Sequence, residues 1–156
     1  MPVAVFAAPV LSENASRMIA AMAGLPDVRL GVISQSPLED LPLPVRSQVA
    51  AHWRVADVLD TGQLVDAVQQ LTRRLGSVDR LIGAYEQLQV PLAEVRGELG
   101  VAGMSSSAAR NFRDKARMKS LLREAGLPCA RHRLVTAHAE ATAFAHEVGF
   151  PLIVKP

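Results

Sequence analysis

The chain has 156 residues, 49% of them hydrophobic and 21% charged, with a formal net charge of +2. That balance belongs to a globular protein rather than a disordered one, and the length admits one ordinary domain, or one domain with part of another. A single cysteine, Cys129, excludes an internal disulfide framework and suits a reducing compartment; no run is long and apolar enough to span a bilayer, so a cytoplasmic protein without a membrane partner is expected.

In chain order, the front half alternates strand-like and helix-like runs. MPVAVFAAPVL lacks the basic leader of a signal peptide, and VAVFAAPV (3–10) reads as a strand buried on both faces. SENASRMIAAMAG (12–24) follows as a helix with Ser12 or Asn14 as its cap and Gly24 as its stop. VRLGVIS (28–34) is a second strand, and a Pro-punctuated stretch leads to a short helix near Val45–Ala51. WRVADVL (53–59) is a third strand. TGQLVDAVQQLTRRLG (61–76) is a helix presenting Leu64, Val68, Leu71 and Leu75 on one face. DRLIGAY (79–85) is a fourth strand, and LQVPLAEVRGELG (88–100) a helix with Pro91 near its first turn.

Strands separated by helices of this length predict an α/β fold, a Rossmann-like parallel sheet with flanking helices. The turn after the first strand, AAPVLSEN, has no GxGxxG, which disfavours a plain dinucleotide site. From about residue 104 the texture changes. SSSAARNF (105–112) is a capped turn or short helix without the GK[ST] of a phosphate-binding loop. RDKARMKSLLREAG (113–126) is a helix stopped by Gly126, RHRLV (131–135) a strand, TAHAEATAFAHEVG (136–149) a helix capped by Thr136, and FPLIVK (150–155) a last strand. This back part reads as an incomplete small α+β subdomain, giving domains of 1–104 and 105–156.

Charge is divided the same way. Residues 1–109 carry eight arginines against eleven acids, and residues 110–156 carry nine Lys+Arg against four acids. An anionic ligand is therefore expected at the back.

Three residues stand out. On the helix 113–126, Met118, Leu121, Leu122 and Ala125 mark the buried face, and Lys115 lies at its border in the first turn, where the helix N-terminus favours anions. On helix geometry alone, the placement better describes a lysine draping its stem over an amphipathic helix. Lys155 shares one face of the last strand with Ile153, at the strand end where α/β sheets present ligand contacts, or where a charge simply reaches water. Glu86, just after the fourth strand, stands where a parallel strand opens toward a cleft; it suits a substrate amine, or else is a solvated acid. No catalytic residue is assigned. The four histidines and Cys129 have no metal-site spacing.

The order DKARMKSLLREAGLP, strand, helix, GFPLIVKP resembles the start of the ATP-grasp fold, over roughly residues 111–156. The upstream strands then look like the Rossmann-like domain that precedes it, with LIGAYEQLQVPLAEVRGELGVAG (81–103) as its last strand, helix and turn. The resemblance implies an N-terminal part of an ATP-dependent ligase of the biotin-carboxylase-like or carboxylate–amine type. In such a ligase a carboxylate is activated as an acyl phosphate and attacked by an amine or similar nucleophile. It implies that Lys115 and Lys155 contact the phosphates of ATP, that Mg2+ accompanies the nucleotide, and that small carboxylate and amine substrates bind. The stretch 84–103 is most similar to the branch that joins amino acids or peptides.

The family's glycine-rich loop, adenine-binding hinge and Mg2+ ligands lie downstream of the Lys155 position and are not matched here. The chain thus reads as a fragment that needs the remainder of the ATP-grasp domain and is expected to be inactive by itself. A competing reading is a non-catalytic Rossmann-like module for dimerisation or regulation, with a second copy as partner. Nucleic acid is disfavoured: aromatic residues make up 4% of the chain, leaving few stacking platforms, and no binding motif is present.

Overall fold

The computed structural model describes residues 1–155; Pro156, the last residue of GFPLIVKP and of the expected second domain, lies outside the described residues. The chain divides into two compact units, Met1–Arg113 and Asp114–Pro156.

The first unit is built on β1 (Val3–Ala8), buried at all six positions. Its side chains alternate between two cores. Val3, Val5 and Ala7 join Ile33 and the inner face of α3 (Thr61–Leu75) on one side; Ala4, Phe6 and Ala8 join Leu30, Val32 and the Ala15 and Ile19 face of α1 (Glu13–Ala23) on the other. A strand packed on both faces must be apolar throughout, which is why VAVFAA shows no period of two. β2 (Arg29–Ser34) pairs parallel with β1 from Val3↔Arg29 to Ala8↔Ser34, β3 (Ala51–Arg54) pairs parallel with β2, and β4 (Arg80–Ile82) pairs parallel with the other edge of β1. The sheet order is β3-β2-β1-β4. The predicted parallel α/β sheet with flanking helices is the fold observed.

Two strands are shorter than their apolar runs, for separate reasons. β3 begins at Ala51, where α2 (Leu43–Arg46) has already ended, and it stops at Arg54. Val55 and Val58 are buried beyond its end because they plug the α3 core from a loop. β4 stops at Ile82 because the next residue, Gly83, passes hard against the helix layer: a Cβ there would lie 2.6 Å from Leu92 Cδ1 and 3.3 Å from the Ala7 carbonyl oxygen.

Caps follow the sequence signals. Ser12 Oγ accepts the Ala15 amide at the start of α1, and Asp60 Oδ1 accepts the Gln63 amide at the start of α3. That backbone bond, with a second from the Gln63 side chain, holds the Asp60 carboxyl below its usual range. α4 (Gln89–Leu99) closes on Leu92, Ala93 and Val95. α5 (Ser106–Arg113) belongs to this unit: Ala109 is fully buried, and Arg110 is paired with Glu94 of α4. Arg96 donates to the Leu81 carbonyl at 2.9 Å and the Met104 carbonyl at 3.2 Å, fastening β4 to the chain entering α5. Gly103 leaves room for it, since a Cβ there would stand 2.7 Å from Arg96 Cδ.

The second unit holds α6 (Lys115–Glu124) and α7 (His138–Val148). Neither helix has a fully buried residue, and of the four residues expected on the inner face of α6, Leu121 and Ala125 are exposed and Met118 and Leu122 only partly buried. Gly126 takes a φ of +71° and ends α6, as expected. α7 starts two residues after Thr136. Rather than Thr136 capping the helix, the Glu140 carboxylate accepts the Thr136 amide at 2.8 Å and the Ala137 amide at 3.3 Å. These bonds, the Thr136 amide first, hold Glu140 below its usual range.

The strands expected at 131–135 and 150–155 are not formed. No ladder partner stands beside either segment among the described residues, and the strand-like side chains face solvent, with Leu134 81%, Ile153 84% and Val154 89% exposed. A β-prone sequence without a partner leaves its backbone groups to water, so extended pairing gains nothing.

Two outcomes are expected. Gly83→Ala overpacks the contact with Leu92 and lowers stability by about 1–3 kcal/mol in urea unfolding. In amide exchange, Leu152–Val154 lose protection within the shortest labelling time, while Val5, Phe6 and Val32 exchange slowly.

Candidate functional site

In a parallel sheet every strand delivers its following loop to the same edge. The order β3-β2-β1-β4 places a topological switch beside β1, because the chain leaves it toward β2 on one side and returns to β4 on the other. The crevice between the ends of β1 and β4 is where such sheets bind ligands. Ser12 arrives there after β1, and Tyr85 and Glu86 after β4.

Ser12 does two things at once. Its Oγ accepts the Ala15 amide at 3.3 Å as the α1 cap, and it is hydrogen-bonded to Tyr85 Oη at 3.0 Å across the crevice. Two hydroxyl hydrogens serve one hydroxyl–hydroxyl bond, so one donor is left over for water or a ligand. Capping explains Ser12 by itself at the level of sequence; the Tyr85 bond is a tertiary fact. Tyr85 is the only tyrosine in the chain. Its position next to Glu86 at a strand end was the signal that could have found it.

Glu86 opens the 3-10 turn Glu86–Leu88 at the C-terminal end of β4, the place expected for it. Its carboxylate is paired with Arg113, Nη1 to Oε1, at 3.2 Å, with both side chains about half exposed. Arg113 was not singled out from the sequence, since it is 27 residues away and nothing local points to the pairing.

Next to this crevice, the end of β2 carries a polar relay. Ser34, fully buried, donates to the Ser36 carbonyl at 2.7 Å and is bonded to His52 Nε2 of β3 at 2.8 Å. With the serine hydrogen committed to Ser36, His52 Nε2 is the donor. Ser36 Oγ in turn accepts the Leu11 amide at 3.2 Å, one residue before the cap. Burial holds His52 below its usual value; the Glu39 carboxylate opposes this and Arg54 adds to it.

The two lysines lie in the second unit and are both exposed. Lys115 is the first residue of α6, as expected. The amides of Ala116 and Arg117 that open the helix already donate to Asp114 Oδ1, at 2.9 and 3.0 Å. The helix N-terminus is thus filled by its own cap, and what Lys115 contributes toward an anion is its ammonium charge. Lys155 follows Val154 in chain that forms no strand, so the alternation that set it beside Ile153 does not operate. Among the described residues no group of three or more His, Cys, Asp or Glu side chains is placed to hold a metal ion. Mg2+ therefore finds no fitting ligand set in these residues, and no step is assigned to it. No helix among them is long and apolar enough to cross a membrane.

A parallel sheet covered on both faces by helices, with hydroxyls and a carboxylate at its strand ends, defines the class: an α/β domain. No family profile matches the chain. Over 93 residues, 58% of the chain, it is 31% identical to alanine–anticapsin ligase of Bacillus subtilis, of which it covers 20%. It is 41% identical over 97 residues, 62% of the chain, to the carbamoyl phosphate synthase large chain of Streptomyces griseus subsp. griseus, of which it covers 9%. In fold it is similar to N5-carboxyaminoimidazole synthetase from Staphylococcus aureus, with a TM-score of 0.69 at 15% identity, over 96% of this chain and 36% of that one. The homologues of this chain are ATP-grasp ligases, and its four-stranded sheet with flanking helices matches the N-terminal domain of that family's solved members. The chain spans about a fifth of the first of these relatives and less than a tenth of the second.

The Ser12–Tyr85 bond is testable as a pair. Ser12→Ala is expected to cost about 1 kcal/mol through the lost cap. A double-mutant cycle with Tyr85→Phe in urea unfolding should show a coupling of about 0.5–1.5 kcal/mol. Additive losses would mean that the two hydroxyls act independently.

Proposed function

We propose that this chain is the N-terminal part of an ATP-dependent ligase that activates a carboxylate as an acyl phosphate for attack by an amine. The observation that carries the reading is that the chain is similar in sequence to ligases and in fold to their N-terminal domain. In this reading the first unit, 1–104 with the helix that follows it, is the domain preceding the ATP-grasp fold, and the residues after it begin that fold. The location is the cytoplasm, in keeping with a single free cysteine.

Roles follow from charge and placement. Lys115 and Lys155 act as point cations that offset the charge of the ATP phosphates, a task for which an ammonium on a flexible stem is suited. Glu86, at the end of β4, takes the amine of a substrate. ATP supplies the phosphoryl group: it passes to a carboxylate oxygen, ADP leaves, and attack by the amine expels phosphate. The protein's part is positioning and charge stabilisation. The exposed apolar side chains of the second unit, Leu134, Phe150, Ile153 and Val154 among them, then have a natural occupant in the remainder of the ATP-grasp domain.

Calorimetric titration of MgATP tests this on the chain and on the product of its whole open reading frame. The chain alone is expected to give no saturable heat. The longer product should bind, and Lys115→Ala or Lys155→Ala should each weaken it about tenfold or more, the scale of one lost charge-assisted contact. If neither length binds ATP, the likeness extends to fold alone and a dimerisation or regulatory module takes its place.

A further inference from the structure

We propose that Arg113 is a built-in competitor for the amine that Glu86 receives, and so sets how tightly an amine must bind to occupy that carboxylate. The inference rests on the reading of Glu86 as the amine-binding carboxylate and adds an affinity-setting residue to that site.

The geometry has three parts. First, the Glu86 carboxylate is not open: Arg113 Nη1 lies 3.2 Å from Oε1. A guanidinium and a substrate ammonium seek the same oxygens, so an incoming amine must displace Arg113 or share the carboxylate with it. Second, the pair is weak enough to yield. Both side chains are about half exposed, at 53% and 56%, in the class of surface ion pairs whose worth is small and screened by salt. Third, the helix that carries Arg113 is anchored without it. Ala109 of α5 is fully buried and Arg110 is paired with Glu94, which also accepts Thr61 Oγ1 at 3.2 Å. Arg113 sits in the last turn, past those anchors, and its side chain can leave Glu86 while α5 stays in place.

The consequence is a displacement cost. An amine exchanges one cation for another at Glu86, so every amine binds more weakly than it would at an open carboxylate, by the worth of the pair that it breaks.

The test is an NMR titration of the 156-residue chain with glycinamide, a primary ammonium with no carboxylate, following the backbone amide signals of residues 84–87, which every variant retains. The wild type is expected to show weak saturable binding, and Glu86→Gln to lose it. Arg113→Gln should tighten binding about two- to fivefold, the scale of an exposed ion pair. Arg110→Gln, which removes an anchor of α5 but no competitor, should leave the affinity unchanged. Equal affinities for the wild type and Arg113→Gln overturn the competitor, as does equal tightening by Arg110→Gln, which would mean that loosening the helix is the cause. Binding that survives Glu86→Gln, or no saturable shift in the wild type and Arg113→Gln alike, overturns the amine reading itself.

Discussion

Burial of β1 on both faces is the constraint from which the first unit follows. Val5 and Phe6, adjacent in sequence, are 0% and 2% exposed on opposite sides of the sheet. Neither is covered unless helices pack on both faces, and the chain meets that demand by crossing over one face with α1 and the other with α3. Crossovers of this kind make the strands parallel, and parallel strands bring their C-terminal loops to one edge. Ser12, Ser34, Tyr85 and Glu86 share that edge for this reason, although they are spread over more than seventy residues of sequence. Their shared edge is a by-product of how the core is covered.

The same economy governs the polar groups. Ser34 is fully buried, yet it is bonded to both His52 and the Ser36 carbonyl, so its desolvation is offset. Arg96 is the counter-case. Its two terminal nitrogens hold the Leu81 and Met104 carbonyls, while Nε is buried with no partner among the described residues. Desolvation holds it below the usual arginine value, and no carboxylate balances it. What the arrangement secures is the free edge of β4. The Leu81 carbonyl of this edge strand is taken by a guanidinium from α4.

The second unit is held by shorter-range contacts. Arg133 stacks over Phe144, 4.9 Å from the ring centroid, and is paired with Glu147; Asp114 and Glu140 each satisfy amides within a few residues. Such contacts suffice for two helices. They do not supply a sheet, because a strand is stabilised only by a neighbouring strand, at whatever distance along the chain it lies. The apolar side chains at 150–154 consequently face water, and this unit has no core comparable with that around β1.

The sequence by itself determined the local elements. The unbroken apolar run of β1, the face of Leu64, Val68, Leu71 and Leu75 on α3, the Ser12 cap and the Gly126 stop are each legible because helix periodicity, capping and double-sided burial are written within a few residues. Glu86 was legible as a strand-end acid for the same reason. Tertiary structure alone decided the sheet order, the early ends of β3 and β4, and the absence of strands at 131–135 and 150–155. It also decided that Ser12 meets Tyr85 across 73 residues and Glu86 meets Arg113 across 27. Hydrophobic periodicity reports what a segment is able to form. Whether a strand forms, and which side chain faces a carboxylate, depends on partners distant in the chain, and a local pattern carries no record of them.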